Sequence, residues 1–287
     1  MTVYILGPHG MLGRYVETYL RSKSYEVIGF TRKKIDAAKV LEIPIRAILH
    51  HGLVKKGDVI VNCMGAIKPQ IDALGTLNAI KVNSMFPHIM ADVCEEMGVH
   101  LIHITTDCVF SGKDGNYTEK SPHDCIDVYG KSKSLGEPEN CTVIRTSIIG
   151  EELENKRSLI EWVKSMDGSD VNGYLNHQWN GLTCHQTAKV IEQIISEDLY
   201  WDGVRHIYTP DSLNKHELVK AIVSAHNLDM EVYPVDGPSK CDRTLSTEVY
   251  DEETLVPFSL KFNIPSIPEQ LVEQYKNPPE VSKYDSY

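Results

Sequence analysis

The sequence predicts an α/β fold, in which a doubly wound parallel sheet is covered by helices and followed by a smaller C-terminal α/β lobe. In the first half, short apolar runs alternate with segments of helical periodicity, as is typical of successive βαβ units. The chain has 287 residues, 41% of them hydrophobic and 24% charged, enough for one large domain or two modest ones. The alternation weakens after residue 147, so we predict domains over 1–147 and 148–287.

The charge and the cysteines exclude several classes of protein. A formal charge of −11 argues against a broad surface for nucleic acid or an anionic membrane. Seven cysteines without a C-x-x-C pair indicate free thiols in a reducing compartment. No apolar stretch approaches the ~20 residues that span a bilayer, and the N-terminus lacks the basic start of a signal peptide. These features predict a cytoplasmic protein that binds neither nucleic acid nor membrane.

Apolar runs and capping residues locate the elements along the chain. Strands are predicted over 3–6, 26–30, 59–63, 100–105 and 141–146, each short and apolar enough to be buried in a sheet. Helices are predicted over 11–22, after Asn83 or Ser84 as the cap, over 183–196, and after Asn214, which has capping-box spacing to Glu217. The domain boundary is interleaved if helix 183–196 returns to the first domain. The polar tail over 277–287 is predicted to be loose.

Three glycines connect the first predicted strand to the first predicted helix. Gly7, Gly10 and Gly13 form a G-x-x-G-x-x-G pattern that allows a tight turn, close approach of a diphosphate, and close helix–strand packing. The N–H groups and dipole at the start of the helix attract phosphate. A plain strand–helix turn is the alternative, but the position at the start of a βαβ unit favours dinucleotide binding. Residues 1–147 are thus predicted to be a Rossmann-type domain.

The end of the second strand indicates which dinucleotide binds. An NAD site usually has an acidic residue there to hold the ribose hydroxyls. Here the strand is followed by Thr31, Arg32, Lys33 and Lys34, which supply three cations and no carboxylate. A solvated basic turn would look the same, but the combined pattern predicts NADPH, held at its 2′-phosphate by Arg32 with Lys33 or Lys34 in support.

Tyr129 and Lys133 are four residues apart, a spacing that places both on one face of a helix. A phenol is normally too weak an acid to give up its proton near neutral pH, and an adjacent ammonium favours the phenolate. Thr106, at the end of the fourth predicted strand, adds a hydroxyl that could orient a carbonyl. This grouping predicts proton donation by Tyr129 to a carbonyl undergoing reduction.

These residues lie within motifs that resemble a known family. The segments 105–112 (TTDCVFSG), 117–119 (YTE), 128–137 (VYGKSKSLGE) and 62–66 (NCMGA) resemble the core of dTDP-4-dehydrorhamnose reductases, a branch of the extended short-chain dehydrogenase/reductases. Residues 104–112 and 145–150 are most similar to reductases of UDP-linked 4-keto-6-deoxy amino sugars of the N-acetyl-L-rhamnosamine type. The resemblance fades after about residue 150.

The resemblance implies an NADP-dependent oxidoreductase with Thr106, Tyr129 and Lys133 as its catalytic residues. Hydride would reach C4 of a UDP- or dTDP-linked 4-keto-6-deoxyhexose, giving an L-rhamnose-like or L-rhamnosamine-like sugar nucleotide for polysaccharide or glycan synthesis. It leaves a homodimer open. The residues expected around the cofactor are Gly7, His9, Gly10, Met11, Leu12, Arg32, Lys33, Cys63, Gly65, Ala66, Tyr129 and Lys133.

Two departures from the family pattern leave the sugar open. Cys108 stands where the rhamnose enzyme has a tyrosine, and Leu182 stands where a proline is usual before Thr183. Alternation along an extended chain would point Cys108 toward the substrate with Thr106. A thiol there, with His177 as its acid partner, could support 3- or 5-epimerase activity beside reduction, as the similarly placed cysteine of GDP-L-fucose synthases suggests. The simpler alternative is a small pocket-lining side chain.

One alternative interpretation concerns the role of the whole protein. Some relatives, such as the methionine adenosyltransferase beta subunit, are regulatory partners without this reaction, which leaves a non-catalytic role open.

Trp179 could stack on the nucleotide base or fill the lobe interface. Twelve histidines include no pair with metal-ligand spacing, so no metal is predicted, and His103 is expected in the core. Residues 251–253 are expected to form a solvated turn.

Overall fold

The structure of the protein is a computed structural model that describes residues 1–154, 156–251 and 255–280. Glu252 and Glu253 of the predicted turn, and the predicted tail beyond residue 280, lie outside the described residues. Within the described parts, no helix is long and apolar enough to cross a membrane.

The elements follow the predicted alternation. The strands are β1 (Thr2–Leu6), β2 (Glu26–Phe30), β3 (Val59–Asn62), β4 (His100–Thr106), β5 (Thr142–Thr146), β6 (Ile148–Ile149), β7 (Val171–Tyr174), β8 (His177–Trp179), β9 (Leu182–Thr183), β10 (Gly203–His206), β11 (Leu213–Asn214), β12 (Val232–Val235) and β13 (Cys241–Asp242). The helices are α1 (Met11–Ser22), α2 (Ile45–His51), α3 (Lys68–Leu74), α4 (Thr76–Ile80), α5 (Phe86–Met97), α6 (Val128–Ser134), α7 (Leu159–Ser165), α8 (Cys184–Ser196), α9 (Lys215–His226) and α10 (Ile267–Lys276).

Six parallel strands form the main sheet, in the order β10-β5-β4-β3-β1-β2. Alternate residues of β1 enter two hydrophobic cores, Val3 and Ile5 on one face with α1 and α8, Tyr4 and Leu6 on the other with α2 and α5. Both faces of the sheet are covered by helices, as an all-parallel sheet requires. The predicted Rossmann-type fold class is confirmed.

The second half of the chain contributes to both parts of the molecule. β10 extends the main sheet beside β5, and α8 packs against α1. The smaller lobe has its own core, to which α7, α9 and α10 contribute. Its α9 begins with the predicted capping box, in which Asn214 Oδ1 accepts from the Glu217 N–H and Glu217 accepts from the Asn214 N–H. The chain therefore returns to the main sheet after residue 147 before it completes the lobe.

Candidate active site

Two adjoining cavities lie at the carboxyl ends of the parallel strands, where ligands of open α/β sheets bind. The inner cavity, about 390 Å³, is lined by the start of α1, the end of β4 and the catalytic candidates Thr106, Tyr129 and Lys133. The outer cavity, about 520 Å³, extends from the glycine turn to Arg32. Residues common to both walls include His9, Gly10, Cys63, Met64, Gly65 and Gln70. A ligand that follows the glycine turn would therefore contact both cavities.

The glycine turn has the geometry that a diphosphate needs. Gly7 has a φ of +79°, in the left-handed region that favours glycine. A Cβ on Gly13 would lie 2.1 Å from the Gly7 carbonyl oxygen, so any side chain there would force helix and strand apart. No side chain caps α1 at Gly10, and the first N–H groups of this helix have no partner within it. The loop thus fits the diphosphate of a dinucleotide.

The side chain of Asn83 connects the loop that follows β3 to α6 by hydrogen bonds. Its Oδ1 accepts from the Ala66 N–H at 2.8 Å, and its Nδ2 donates to the Ala66 carbonyl and to Ser132 Oγ. The prediction that Asn83 or Ser84 caps a helix is wrong. Both are buried in a π-helical turn, Lys81–Met85, because the helix continues from α4 into α5. The side chain of Asn83 is therefore free to hold Gly65 and Ala66 beside α6.

Lys133 lies buried on the face of α6 that it shares with Tyr129, as the spacing predicted. Its Nζ donates to the Ile104 carbonyl at 3.3 Å. Burial lowers the pKa of Lys133 to about 8, against the opposing effects of Glu137 and Cys63. A Cβ on Gly65 would lie 3.3 Å from this Nζ, so glycine lets the loop approach the ammonium closely.

The phenol of Tyr129 points into the inner cavity together with Thr106. Burial raises the pKa of Tyr129, and Cys108 adds to this, while the hydroxyl of Thr106 opposes it. The expected lowering by Lys133 is not seen, because burial dominates. The phenol is therefore protonated at neutral pH, which is the form that donates a proton.

Cys108 also lines the inner cavity, although not for the reason predicted. The chain leaves its extended path after Thr106 and forms a 3₁₀ turn over Asp107–Val109. This turn lets the Cys108 N–H donate to Thr106 Oγ1 at 3.1 Å and keeps both side chains at the cavity. Burial, with a contribution from Asp107, raises the pKa of the Cys108 thiol to about 12. The thiolate is therefore scarce at neutral pH.

A buried network of charged and polar side chains lies beside β4 and α6, and the sequence analysis did not predict it. Glu137 accepts from Arg145 Nε at 3.0 Å and from Thr105 Oγ1 at 2.9 Å. Arg145 Nη1 also lies 2.8 Å from His206 Nε2 of β10. The only sequence signal was the spacing of Glu137 four residues after Lys133. The network joins β4, β5 and β10 next to the site.

Of the three predicted cations, only Arg32 lines the outer cavity. Lys33 is exposed and is not part of its wall, and Lys34 lies over the ring of Phe30 at 4.7 Å. Asp36 also lines this cavity, but its carboxylate accepts from the Ala38 N–H and begins a 3₁₀ turn. The support expected from Lys33 or Lys34 is therefore not seen at the cavity wall.

The remaining candidate residues from the sequence analysis line neither cavity. His177 is on β8, where its Nε2 donates to the Ser239 carbonyl at 2.9 Å, and it lines neither cavity. Trp179 packs in the lobe core and donates from Nε1 to Oγ of Ser147, which does line the inner cavity. His103 is buried beside Asn62, as expected. Among the described residues, no group of three or more His, Cys, Asp or Glu is placed to hold a metal ion.

The fold, with Thr106, Tyr129 and Lys133 grouped beside a glycine-rich turn, defines a class, that of Rossmann-type α/β proteins. The family model described as the RmlD substrate binding domain matches residues 1–248. The chain belongs to this family, and the predicted resemblance is confirmed.

Proteins similar to this chain have names that indicate different roles. The chain is 30% identical over 151 residues to a dTDP-4-keto-6-deoxy-D-glucose reductase of Streptomyces niveus, a match to 50% of this chain and 51% of the relative. The chain thus spans about half the length of this relative. It is 26% identical to the methionine adenosyltransferase 2 subunit beta of Danio rerio, over 79% of this chain and 74% of that one.

Solved structures share the fold. The dTDP-4-dehydrorhamnose reductase of Bacillus anthracis, determined in complex with NADP, has a TM-score of 0.74 to this chain at 21% identity. The match covers 96% of this chain and 99% of that one, so the likeness extends through the smaller lobe.

Proposed function

We propose that this protein is an NADPH-dependent reductase of the C4 keto group of a nucleotide-linked 4-keto-6-deoxy sugar. The observation that carries the proposal is the convergence of Thr106, Tyr129 and Lys133 on one cavity that continues onto the glycine turn. Relatives named as reductases of dTDP-linked keto sugars support it, as does the NADP complex of a structure with this fold.

The chain's own residues divide the chemistry among them. NADPH supplies the hydride when it is bound. Tyr129, protonated at neutral pH, donates its proton to the sugar oxygen as negative charge develops there. Thr106 orients that oxygen by a hydrogen bond, and the ammonium of Lys133 orients the nicotinamide ribose and stabilises the phenolate that Tyr129 becomes. Gly10, Met11 and Leu12 present the start of α1 to the diphosphate.

The finer substrate is part of the same proposal. We expect a UDP- or dTDP-linked sugar and an L-rhamnose-like or L-rhamnosamine-like product for polysaccharide or glycan synthesis. Cys108, smaller than the tyrosine usual at its position, supports a substrate with a different substituent near this wall. The homodimer and the cytoplasmic location stay predictions.

The test is NADPH oxidation with a panel of UDP- and dTDP-linked 4-keto-6-deoxy sugars, with product sugars identified by mass spectrometry and NMR. Turnover of at least one member, lost in Tyr129→Phe, is the expected result. No turnover with any member would overturn the proposal and favour a regulatory role like that of the beta-subunit relatives.

The structure does not support the epimerase alternative. A base at Cys108 needs a thiolate, and burial raises the pKa of this thiol to about 12. Its predicted acid partner, His177, lines neither cavity. The geometry therefore favours Cys108 as a pocket-lining side chain.

Arg32→Ala is expected to raise the KM for NADPH about tenfold or more and to leave the KM for NADH nearly unchanged. The guanidinium can form charge-assisted hydrogen bonds to the 2′-phosphate, whereas NADH offers only hydroxyls there. Steady-state kinetics with both cofactors measure the ratio. Lys33→Ala is the matched control, since Lys33 neighbours Arg32 but is not part of the cavity wall. An equal change for both cofactors in Arg32→Ala would show that Arg32 does not contact the 2′-phosphate.

A further inference from the structure

Arg14 is a buried cation in the wall of the inner cavity. Its side chain is 3% exposed, although it follows the glycine turn on a helix that starts at the cavity. Nε donates to the His9 carbonyl at 3.2 Å and Nη2 donates to Glu154 Oε1 at 2.8 Å. Nη1 is buried and has no hydrogen-bond partner among the described residues.

The neutralisation of Arg14 is incomplete. Buried charges in proteins are normally paired and fully hydrogen-bonded, because an uncompensated one is costly to remove from water. Among the described residues, the carboxylate paired with Arg14 is that of Glu154, whose side chain is 65% exposed. An ion pair with so exposed a partner is held weakly. The guanidinium therefore has both an unused donor and a carboxylate that is easily displaced.

Arg14 lies where an anion would bind for other reasons. Side chains on a helix tilt toward its N-terminus, and this one reaches back to the carbonyl of His9. The first N–H groups of α1 and the positive end of its dipole are at the same place. A guanidinium beside them can form charge-assisted hydrogen bonds to phosphate oxygens, as it does to a carboxylate.

We infer that Arg14 binds the diphosphate of the dinucleotide. Glu154 pairs with this guanidinium in the absence of cofactor, and the diphosphate displaces Glu154 when it binds. This rests on the proposed function, because the ligand is its cofactor. The exchange releases Glu154 and brings Nη1 a phosphate oxygen to donate to. No bond other than hydrogen bonds and ion pairs forms or breaks.

The exchange would link cofactor binding to the shape of the substrate site. Glu152, Leu153 and Glu154 all line the inner cavity, and Arg157, a few residues further along the chain, lines the outer one. Release of Glu154 from Arg14 therefore frees one wall of the cavity in which the sugar binds.

The test is the Kd for NADPH, measured by isothermal titration calorimetry. Arg14→Gln is expected to weaken binding about tenfold or more, since charge-assisted hydrogen bonds to phosphate are lost. Glu154→Gln is expected to tighten binding about threefold to tenfold, since a neutral amide competes less for Arg14. Arg14→Lys, which keeps the charge, is expected to lie between wild type and Arg14→Gln, and thermal unfolding of each variant establishes that it is folded.

Glu151→Gln is the matched control for movement of the segment alone. Glu151 is on the same segment, and it accepts from the Tyr15 hydroxyl of α1 at 3.2 Å and from Lys164 Nζ at 2.8 Å, whereas Glu154 accepts from Arg14. We expect its Kd for NADPH to match that of wild type. Equal tightening in Glu151→Gln and Glu154→Gln would overturn the inference, because loosening of the segment would then explain both.

Ligand fragments identify the phosphate concerned. Glu154→Gln is expected to tighten ADP-ribose, which has the diphosphate, and not adenosine 2′-monophosphate, which lacks it. Tightening of UDP alone, measured with NADPH already bound, would assign Arg14 to the substrate and overturn the inference. If wild type binds NADPH and Arg14→Gln binds it with the same Kd, the inference is also overturned, but the proposed function stands. Failure of wild type to bind NADPH would instead remove the cofactor of the proposed function.

Discussion

Tyr129→Phe is expected to lower kcat by about 10²–10⁴-fold, the usual value of proton transfer by a positioned group. The substitution removes the hydroxyl that donates the proton and keeps the ring that packs in the buried wall of the inner cavity. The Kd for NADPH should stay close to that of wild type, because the phenol contributes its proton and little binding energy. The substitution should therefore lower kcat and leave the affinity for NADPH nearly unchanged.

Single-turnover kinetics and NADPH titration separate the two effects. Tyr233→Phe is the matched control, since Tyr233 is exposed on β12 and lines neither cavity. It loses the same atom outside the site and should have wild-type kcat. A fall of less than tenfold in Tyr129→Phe would remove Tyr129 from the role of proton donor.

Lys133→Met is expected to weaken NADPH binding about tenfold and to lower kcat about a hundredfold, since one ammonium serves both the ribose and the phenolate. Lys131→Met is the matched control, because Lys131 is exposed on the same helix and lines neither cavity. Isothermal titration calorimetry and steady-state kinetics measure the two losses. Wild-type cofactor affinity in Lys133→Met would show that the ammonium does not hold the ribose.

The pH dependence of the same residue has a definite sign. Burial lowers the pKa of Lys133 from 10.5 to about 8 in the folded protein. The ammonium is therefore lost as the pH rises through about 8, and kcat/KM should fall there. The stability penalty of the buried charge is fully present below about pH 8 and disappears as the pH rises toward 10.5. Lys133→Met should accordingly have a Tm at pH 7 above that of wild type, measured by calorimetry, while its activity is lost.

The sequence by itself determined the features that depend on near neighbours. The spacing of the glycines at 7, 10 and 13 predicted a tight strand–helix turn with close packing, and in the structure a Cβ on Gly13 would lie 2.1 Å from the Gly7 carbonyl oxygen. The four-residue spacing of Tyr129 and Lys133 places them on one helical face. The capping box at Asn214 likewise depends on residues three apart. Apolar runs located five of the six parallel strands, β1 to β5, but not β10, which the sequence did not predict.

Tertiary structure alone decided which distant residues meet. Arg14 and Glu154 are 140 positions apart, and Asn83 joins Ala66 to Ser132 across two separate segments. Local patterns read Asn83 as a cap because its amide can serve a helix end or a tertiary contact equally well. The same limit applies to His177, which the sequence analysis named as the acid partner of Cys108 and which the structure places on β8, where it lines neither cavity. Spacing rules act over about one helical turn, whereas these partners are brought together by the burial of the sheet and the return of the chain across it.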